Sequence, residues 1–381
     1  VQEKTGTNHR VWQVKKSNAG KFVNMIRPHL DVLPLSFYPL RKKGPWSLNW
    51  MPNSKLRSEI FELNPDIINL HWVGGGFVPI SLLSQINKPI VWSLYDMWPF
   101  TGGCHYDNSC GKFVDSCGSC PQLSSSQRDL SSRIHAKKMK YWQDIPMTIV
   151  APSRWLAEEA RKSSLFKNLR VEVIPHGTDL NVYKPLNKDY AKEILGLQKS
   201  SRYVLFGAGS GTGDTRKGYQ YLQPALEILR AMGGFEDVSL LIFGEDEPID
   251  PPKLGFPVHY VGRLHDDISL SVLYSAADVT VTPSMQEAFG MTASESMACG
   301  TPVVAFGASG PLDVIDHKID GYLARPFEIG DLAYGLSWIL DSTRSEALIR
   351  ACRIKCELKF DLIKVSRQYS RLYQELIEGS K

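Results

Sequence analysis

Between about residues 66 and 306 the chain alternates short runs of Val, Ile, Leu and Phe with longer amphipathic stretches, a rhythm that few folds can accommodate. The runs Asp66–His71, Ile90–Leu94, Thr148–Ala151 and Val171–Pro175 read as strands. After a break, so do Tyr203–Gly207, Ser239–Gly244, Val258–Val261, Val279–Thr282 and Pro302–Phe306. Most are near-continuously apolar rather than alternating, as strands covered on both faces must be. Between them Leu130–Trp142, Arg154–Ser163, Tyr219–Met232 and Ser269–Ala276 carry helical spacing. The pattern predicts parallel sheets with helices on both faces.

The rhythm pauses once, across Tyr183–Ser201, where Lys184-Pro-Leu-Asn-Lys-Asp189 is polar and turn-rich and a short helix, Tyr190–Leu195, follows. A chain of 381 residues is long for one core, so a boundary is expected there. It divides an N-terminal α/β domain, 1–184, from a C-terminal one, 185–358, with a cleft between two doubly wound sheets. The tail from about residue 330 to Glu378 is helical, with Leu332, Leu336, Ile339 and Leu340 on one stripe. Its last part, about 360–378, is a candidate to pack back on the first domain.

The first 65 residues fit this scheme poorly. Only Val11–Val14 looks strand-like, and residues 34–52 are rich in Pro, Trp and basic side chains. A doubly wound domain usually opens with a strand and a Gly-rich turn. That opening and an initiator Met are both missing, so the chain is expected to begin downstream of its natural start and to lack its first strand.

Forty-four basic residues against 40 acidic ones leave a net charge of +4, too little to indicate nucleic acid as a partner. A basic face on one domain could still touch an anionic membrane. No apolar run approaches the roughly 18–20 residues of a membrane span, and Val1-Gln-Glu-Lys-Thr-Gly6 does not read as a signal peptide. A cytoplasmic setting is the expectation. Four of seven cysteines crowd into residues 104–120 as Cys104-x5-Cys110-x6-Cys117-x2-Cys120. Without an export signal a secreted disulfide framework is not favoured. Cys117 and Cys120 form a knuckle-like pair, and four thiolates could close a structural tetrahedral Zn2+ site with no open catalytic position. Free or disulfide-linked cysteines are the other reading.

The richest stretch runs from Pro283 to Phe306. A strand ends near Thr282, a loop carries Glu287, Gly290 permits a tight backbone, and a helix is expected from about Ala293 to Cys299. Gly300 ends that helix and Pro302 precedes the next strand. A loop at the carboxyl end of a parallel strand is where such folds bind ligands, and a helix N-terminus suits a diphosphate. Thr292-Ala-Ser-Glu295 also spells a capping box, in which Glu295 would only satisfy the Thr292 N–H. Taken singly, Glu287 could be a solvated loop residue.

The whole string resembles the E-x7-E signature of the group 1 (family 4) retaining glycosyltransferases, which have the GT-B fold of two Rossmann-like domains. The match takes in Glu287, Phe289-Gly290, Glu295, Ala298-Cys-Gly300-Thr-Pro302-Val-Val, Gly310-Pro and Asp320-Gly321-Tyr-Leu, and spans nearly all of residues 200–330. The resemblance implies that Glu287 lies at the transferred sugar and Glu295 at the ribose. It likewise brings the backbone of Phe289, Gly290, Met291 and Thr292 to the sugar and phosphates. In Gly207-Ala-Gly-Ser-Gly-Thr-Gly213-Asp-Thr-Arg216-Lys217-Gly218, Lys217 matches the lysine that contacts the donor diphosphate. The usual partner arginine lies earlier, where this chain has only Gly and Ser, so Arg216 is taken as its substitute. Gly262-Arg263-Leu264 resembles the segment that reads the nucleotide base. His176-Gly177-Thr-Asp179 resembles the interdomain linker, with His176 in a turn or hinge.

In the first domain Tyr95-Asp96 stands where the family often has His-Asp. Asp96 is the expected hold on an acceptor hydroxyl, and His71 and His105 are further candidates. Trp98-Pro-Phe-Thr-Gly-Gly-Cys104-His and Gly118-Ser-Cys-Pro121-Gln-Leu resemble the cysteine-rich insert of a polysaccharide-synthesis branch. The implied reaction moves a sugar, with retention, from a nucleoside-diphosphate sugar to a sugar or lipid-linked acceptor. It needs no catalytic cofactor, and it would run in the cytoplasm or at the inner membrane face. Two rivals remain at this level: a non-catalytic subunit that binds a nucleotide sugar or glycan, and a sugar-nucleotide epimerase of the same fold.

Overall fold

A computed structural model describes residues 18–42, 44–126, 128–207, 215–341, 343 and 345–379. The strand expected over Val11–Val14 lies outside them. The apolar runs pair into two all-parallel sheets. In the first, β1 (Ile68–Leu70), β2 (Ile90–Ser93), β3 (Met147–Ala151) and β4 (Arg170–Val173) lie in chain order. Ile68 stands opposite Ile90, and Ile90 opposite Met147. Helices α1 (Asn18–Val32) and α2 (Ser54–Leu63) precede this sheet, and α3 (Leu130–Trp142) and α4 (Arg154–Lys162) connect within it. The side chains of Asn53, Asp129 and Ser153 cap α2, α3 and α4, each such cap contributing about 1 kcal/mol. Trp92 on β2 is 1% exposed and packs edge-on against Trp142 at 5.2 Å.

The second sheet has six strands: β5 (Arg202–Gly207), β6 (Val238–Phe243), β7 (Val258–Gly262), β8 (Val279–Thr282), β9 (Val303–Phe306) and β10 (Gly321–Ala324). Their order is β10-β9-β8-β5-β6-β7, which is the Rossmann order with its switch point between β5 and β8. Helices α5 (Lys188–Ile194), α6 (Tyr219–Met232), α7 (Asp267–Ala276), α8 (Met291–Ala298), α9 (Pro311–Val314) and α10 (Ile329–Leu340) connect and cover it. Side chains of a strand alternate between faces. Val204 and Phe206 join one core with Leu226 of α6 and Leu336 of α10. Tyr203 and Leu205 join the opposite core with Tyr274 of α7 and Met297 of α8. Truncating a core leucine here to alanine would cost roughly 2–5 kcal/mol.

Three features depart from the sequence expectation. Gly321–Ala324, read there only as a motif, is the edge strand β10. Helix α8 starts at Met291 rather than Ala293. The tail is broken into α10, α11 (Ser345–Lys355), a π-helical turn (Cys356–Phe360) and α12 (Leu362–Glu378).

The chain divides after Val173, ahead of the expected boundary at Lys184, and the second unit runs Ile174–Ser370. The linker joins that unit because Thr178 N donates to Phe360 O at 2.7 Å and Thr178 Oγ1 to Ser294 Oγ at 3.3 Å. From Arg371 the chain belongs to the first unit. There Asn69 Nδ2 donates to Tyr373 OH and Arg170 pairs with Glu375, both at 2.5 Å.

Candidate active site

The two strands at the switch point carry the charged groups. β5 leads, beyond residues 208–214, to a 3-10 turn at Thr215–Lys217, and β8 leads into the loop bearing Glu287. The glycine-rich run after Gly207 lies outside the described residues, but its consequence is visible at Gly218. Gly218 has φ +79°, and a Cβ there would lie 1.8 Å from Pro283 O. Only glycine lets the two loops touch so closely. Met285 N donates to Arg216 O at 2.8 Å, and an Arg216 guanidinium N–H donates to Gln286 O at 3.0 Å.

This contact sets Lys217 Nζ 2.7 Å from Glu287 Oε2, with Arg216 3.6 Å from the same oxygen. Burial pushes the Glu287 carboxyl up, but the two cations outweigh it and hold its pKa below the usual value. Glu287 is therefore an anion at neutral pH. Its backbone is pinned as well: Glu287 N donates to Ser309 Oγ at 3.0 Å, and Gly310 N to Glu287 O at 2.9 Å. Ser309 adopts φ +55°. A Cβ at Gly310 would lie 2.6 Å from the Phe289 backbone, so glycine is needed there too.

Gly290, at φ +107°, opens α8 with no side-chain cap, leaving first-turn N–H groups and the positive end of the helix for an anion. Met291 is 38% exposed at that end and Thr292 is part-buried. Phe289 is 1% exposed, held edge-on by His176 and Phe360, each at 5.4 Å. Its backbone alone could meet a ligand.

The capping-box reading of Glu295 does not hold, because the helix starts before Thr292 and puts Glu295 in its second turn. Its Oε2 instead accepts from Tyr274 OH at 3.0 Å. Burial pushes its pKa up to about 7 against the Tyr274 hydrogen bond, with Asp267 adding to the rise. Arg263 is exposed just beyond β7, at the edge of the sheet. The structure thus gathers Arg216, Lys217 and Glu287 into one cluster, places Gly290–Thr292 at the helix end, and leaves Arg263 apart at the sheet margin. Ser309 and Tyr274 escaped the sequence reading, since a serine beside Gly-Pro and a tyrosine within a helix carry no local signal.

In the first unit Asp96 is 7% exposed and both its oxygens are taken. Oδ1 accepts from Trp98 N at 2.8 Å and Oδ2 lies 2.6 Å from His105 Nδ1. His105 Nε2 in turn meets Ser47 Oγ at 2.9 Å. Its carboxylate positions His105, and Asp96 also lines a small recess with His71, Trp72 and Tyr95.

Cys104, Cys110, Cys117 and Cys120 are all free. Burial pushes the Cys117 thiol up to about 12, and Cys104 is raised well above its ordinary value. Neighbouring thiols add to the rise at both, while among the described residues no group of three or more His, Cys, Asp or Glu is placed to hold a metal.

Residues 8–182 match the family described as Glycosyltransferase Family 4, and residues 188–353 match Glycosyl transferases group 1. A D-inositol 3-phosphate glycosyltransferase of Mycolicibacterium smegmatis is 32% identical over 187 residues, 45% of this chain and 40% of that protein. An uncharacterized glycosyltransferase of Methanocaldococcus jannaschii is 30% identical over 58% of this chain and 57% of its own length. The chain thus spans from 40% to 57% of the length of these two curated relatives. Among solved structures, sucrose-phosphate synthase from Thermosynechococcus elongatus aligns with a TM-score of 0.66 at 23% identity, covering 86% of this chain and 77% of the other. Anabaena HepE in complex with UDP and glucose aligns with a TM-score of 0.61 at 20% identity, covering 84% and 81%. These likenesses concern the fold.

Proposed function

The chain is built of a Glycosyltransferase Family 4 domain (8–182) and a Glycosyl transferases group 1 domain (188–353), and we propose that it transfers a sugar from a nucleoside-diphosphate sugar to an acceptor hydroxyl. The observation that carries this reading is the Lys217–Glu287–Arg216 cluster at the Rossmann switch point. A leaving diphosphate needs fixed positive charge, which Lys217, Arg216 and the amides at the start of α8 supply without a metal. Glu287, anionic and pinned through its backbone, positions the sugar hydroxyls rather than attacking carbon. Transfer with retention is the outcome we assign, on the resemblance of the E-x7-E string to the retaining members of the family. Glu295 holds the ribose and the segment after Gly262 meets the base. UDP is the nucleotide to try first, because HepE holds UDP and glucose in a similar fold.

The acceptor is a sugar or a lipid-linked sugar in polysaccharide or glycolipid synthesis, met in the cytoplasm. Among the described residues no helix is long and apolar enough to cross a membrane. Phe37 and Leu40, 83% and 81% exposed, stand beside Arg41 and Lys42, a chemistry suited to peripheral contact with an anionic surface. Thermal stabilisation of the purified chain by nucleotide sugars, followed by release of the nucleoside diphosphate on adding acceptor, tests the reading. No stabilisation by any of them would overturn it.

A further inference from the structure

Helix α10 buries one stripe, Leu332, Leu336, Ile339 and Leu340, and turns another away from the core. Tyr334 and Trp338 neighbour each other on that outer side, as residues four apart on a helix do. Tyr334 is 48% exposed and Trp338 is half-buried. With Phe235, from the loop between α6 and β6, they line a concavity of about 400 Å3 whose polar lining includes Arg202, Ser337 and Asp341. That size suits a small ligand, for which sites run from roughly 300 to 1,000 Å3. The concavity lies at the amino end of β5, whereas Arg216, Lys217 and Glu287 follow the carboxyl ends of β5 and β8. The six residues of β5 put about 20 Å between the two ends.

One side chain fixes both walls. Arg202 donates from Nη1 to Leu340 O at the end of α10 and from Nη2 to Gly234 O in the loop, each at 2.9 Å. Its Nε donates to Asp237 Oδ2 at 2.7 Å, and its guanidinium lies 5.3 Å from the Phe235 ring centre. Tyr322 of β10 props the rings of Tyr334 and Trp338, each 5.9 Å away between centroids. Tyr322 is 3% exposed, and its OH donates to Asp331 Oδ1 at 2.8 Å. A Cβ at Gly335 would lie 2.5 Å from the Tyr322 ring, so glycine lets α10 rest directly on it. A pocket ordered in advance loses little entropy on binding.

Charge selects the class of ligand. Arg202 is paired with Asp237, which leaves Asp341 at the negative end of α10. Phosphate and carboxylate ligands find no uncompensated cation in this lining. A neutral sugar fits it: the C–H face of a pyranose lies on the electron-rich rings, and its hydroxyls donate to carboxylate and carbonyl oxygens. We infer that this concavity is a second glycan site, taking a neutral pyranose of an oligosaccharide chain at the end of the sheet remote from the donor groups. Its use, holding a polymeric acceptor or product close to the catalyst, rests on the transfer reading; the binding itself does not.

The test is retention of the full chain on an immobilised array of neutral oligosaccharides, with thermal stabilisation by nucleotide sugars measured alongside. Tyr334→Ala and Trp338→Ala should each weaken retention by roughly threefold to tenfold, the value of one aromatic stacking contact. Trp338→Phe should recover part of that loss, and nucleotide-sugar stabilisation should stay unchanged in all three. Tyr334 lies outside the buried core, so its variant reports on the site even where Trp338→Ala folds poorly. A parent chain that retains no neutral glycan, retention independent of both rings, or stronger retention of sulfated than of neutral glycans overturns the site. Nucleotide-sugar stabilisation persisting beside any of these leaves the transfer reading standing. Retention lost in the variants of a chain that no nucleotide sugar stabilises keeps the site and removes that reading.

Discussion

Lys217 Nζ and Glu287 Oε2 lie 2.7 Å apart, although their residues follow different strands of the second sheet. The pair forms because Gly218 lets the loop after β5 press against Pro283 in the loop after β8. The cations proposed for the diphosphate are paired with this carboxylate. A phosphate must compete with Glu287 for them.

That competition predicts an asymmetric pair of variants. Glu287→Gln should bind UDP several-fold more tightly than the parent while transfer falls by on the order of 100-fold or more. Lys217→Ala should weaken UDP by roughly 10–100-fold, the value of a charge-assisted contact. Calorimetric titration of both checks this; weaker UDP binding by Glu287→Gln would refute the competition.

Glu295 predicts a pH dependence. Its folded pKa, about 7, lies above the ordinary 4.5, so the folded state holds a proton that the unfolded chain gives up between those values. The stabilising contribution is full below about pH 4.5 and is lost as pH rises through 7. Glu295→Gln should therefore be more stable than the parent at pH 8, by at most roughly 3 kcal/mol, with the difference vanishing near pH 4.5. In the parent, nucleotide affinity should rise through pH 7 as the carboxylate forms; a flat profile in both measurements counts against this role.

Gly218→Ala should be disproportionately harmful for one added methyl. The residue has φ +79° and its Cβ would meet Pro283 O at 1.8 Å. A loss of more than about 2 kcal/mol is expected from strain alone, together with loss of UDP binding, because the methyl displaces the turn that carries both Arg216 and Lys217. Denaturant unfolding and UDP titration report the two effects separately.

Lys138 in α3 gives the opposite sign from Glu295. It is fully buried, its Nζ donating to Thr101 O at 3.0 Å and to Trp98 O and lying 3.8 Å from the Trp98 ring centre. Burial lowers its pKa from 10.5 to about 7, against the raising effect of Cys117, Cys104 and Asp96. The unfolded chain binds the extra proton between these values, so the parent should gain a few kcal/mol of stability from pH 7 to pH 10. Lys138→Met should lack that rise; parallel slopes for the two proteins would show that Lys138 is charged when folded.

The periodic apolar runs determined by themselves that two parallel sheets would form, since strands such as Tyr203–Gly207 must be covered on both faces wherever they pair. Strand order was not legible, because nothing within β5 or β8 says they are neighbours; pairing between residues some 75 positions apart is a property of the packed sheet. The E-x7-E string likewise marked Glu287 and Glu295 but left Glu295 open between helix cap and ligand. Tertiary structure removed the cap reading, by starting α8 at Met291 and bringing Tyr274 to the carboxylate. It also tied Asp96 to His105 and the Trp98 amide, because a carboxylate's partners depend on which donors the fold puts beside it.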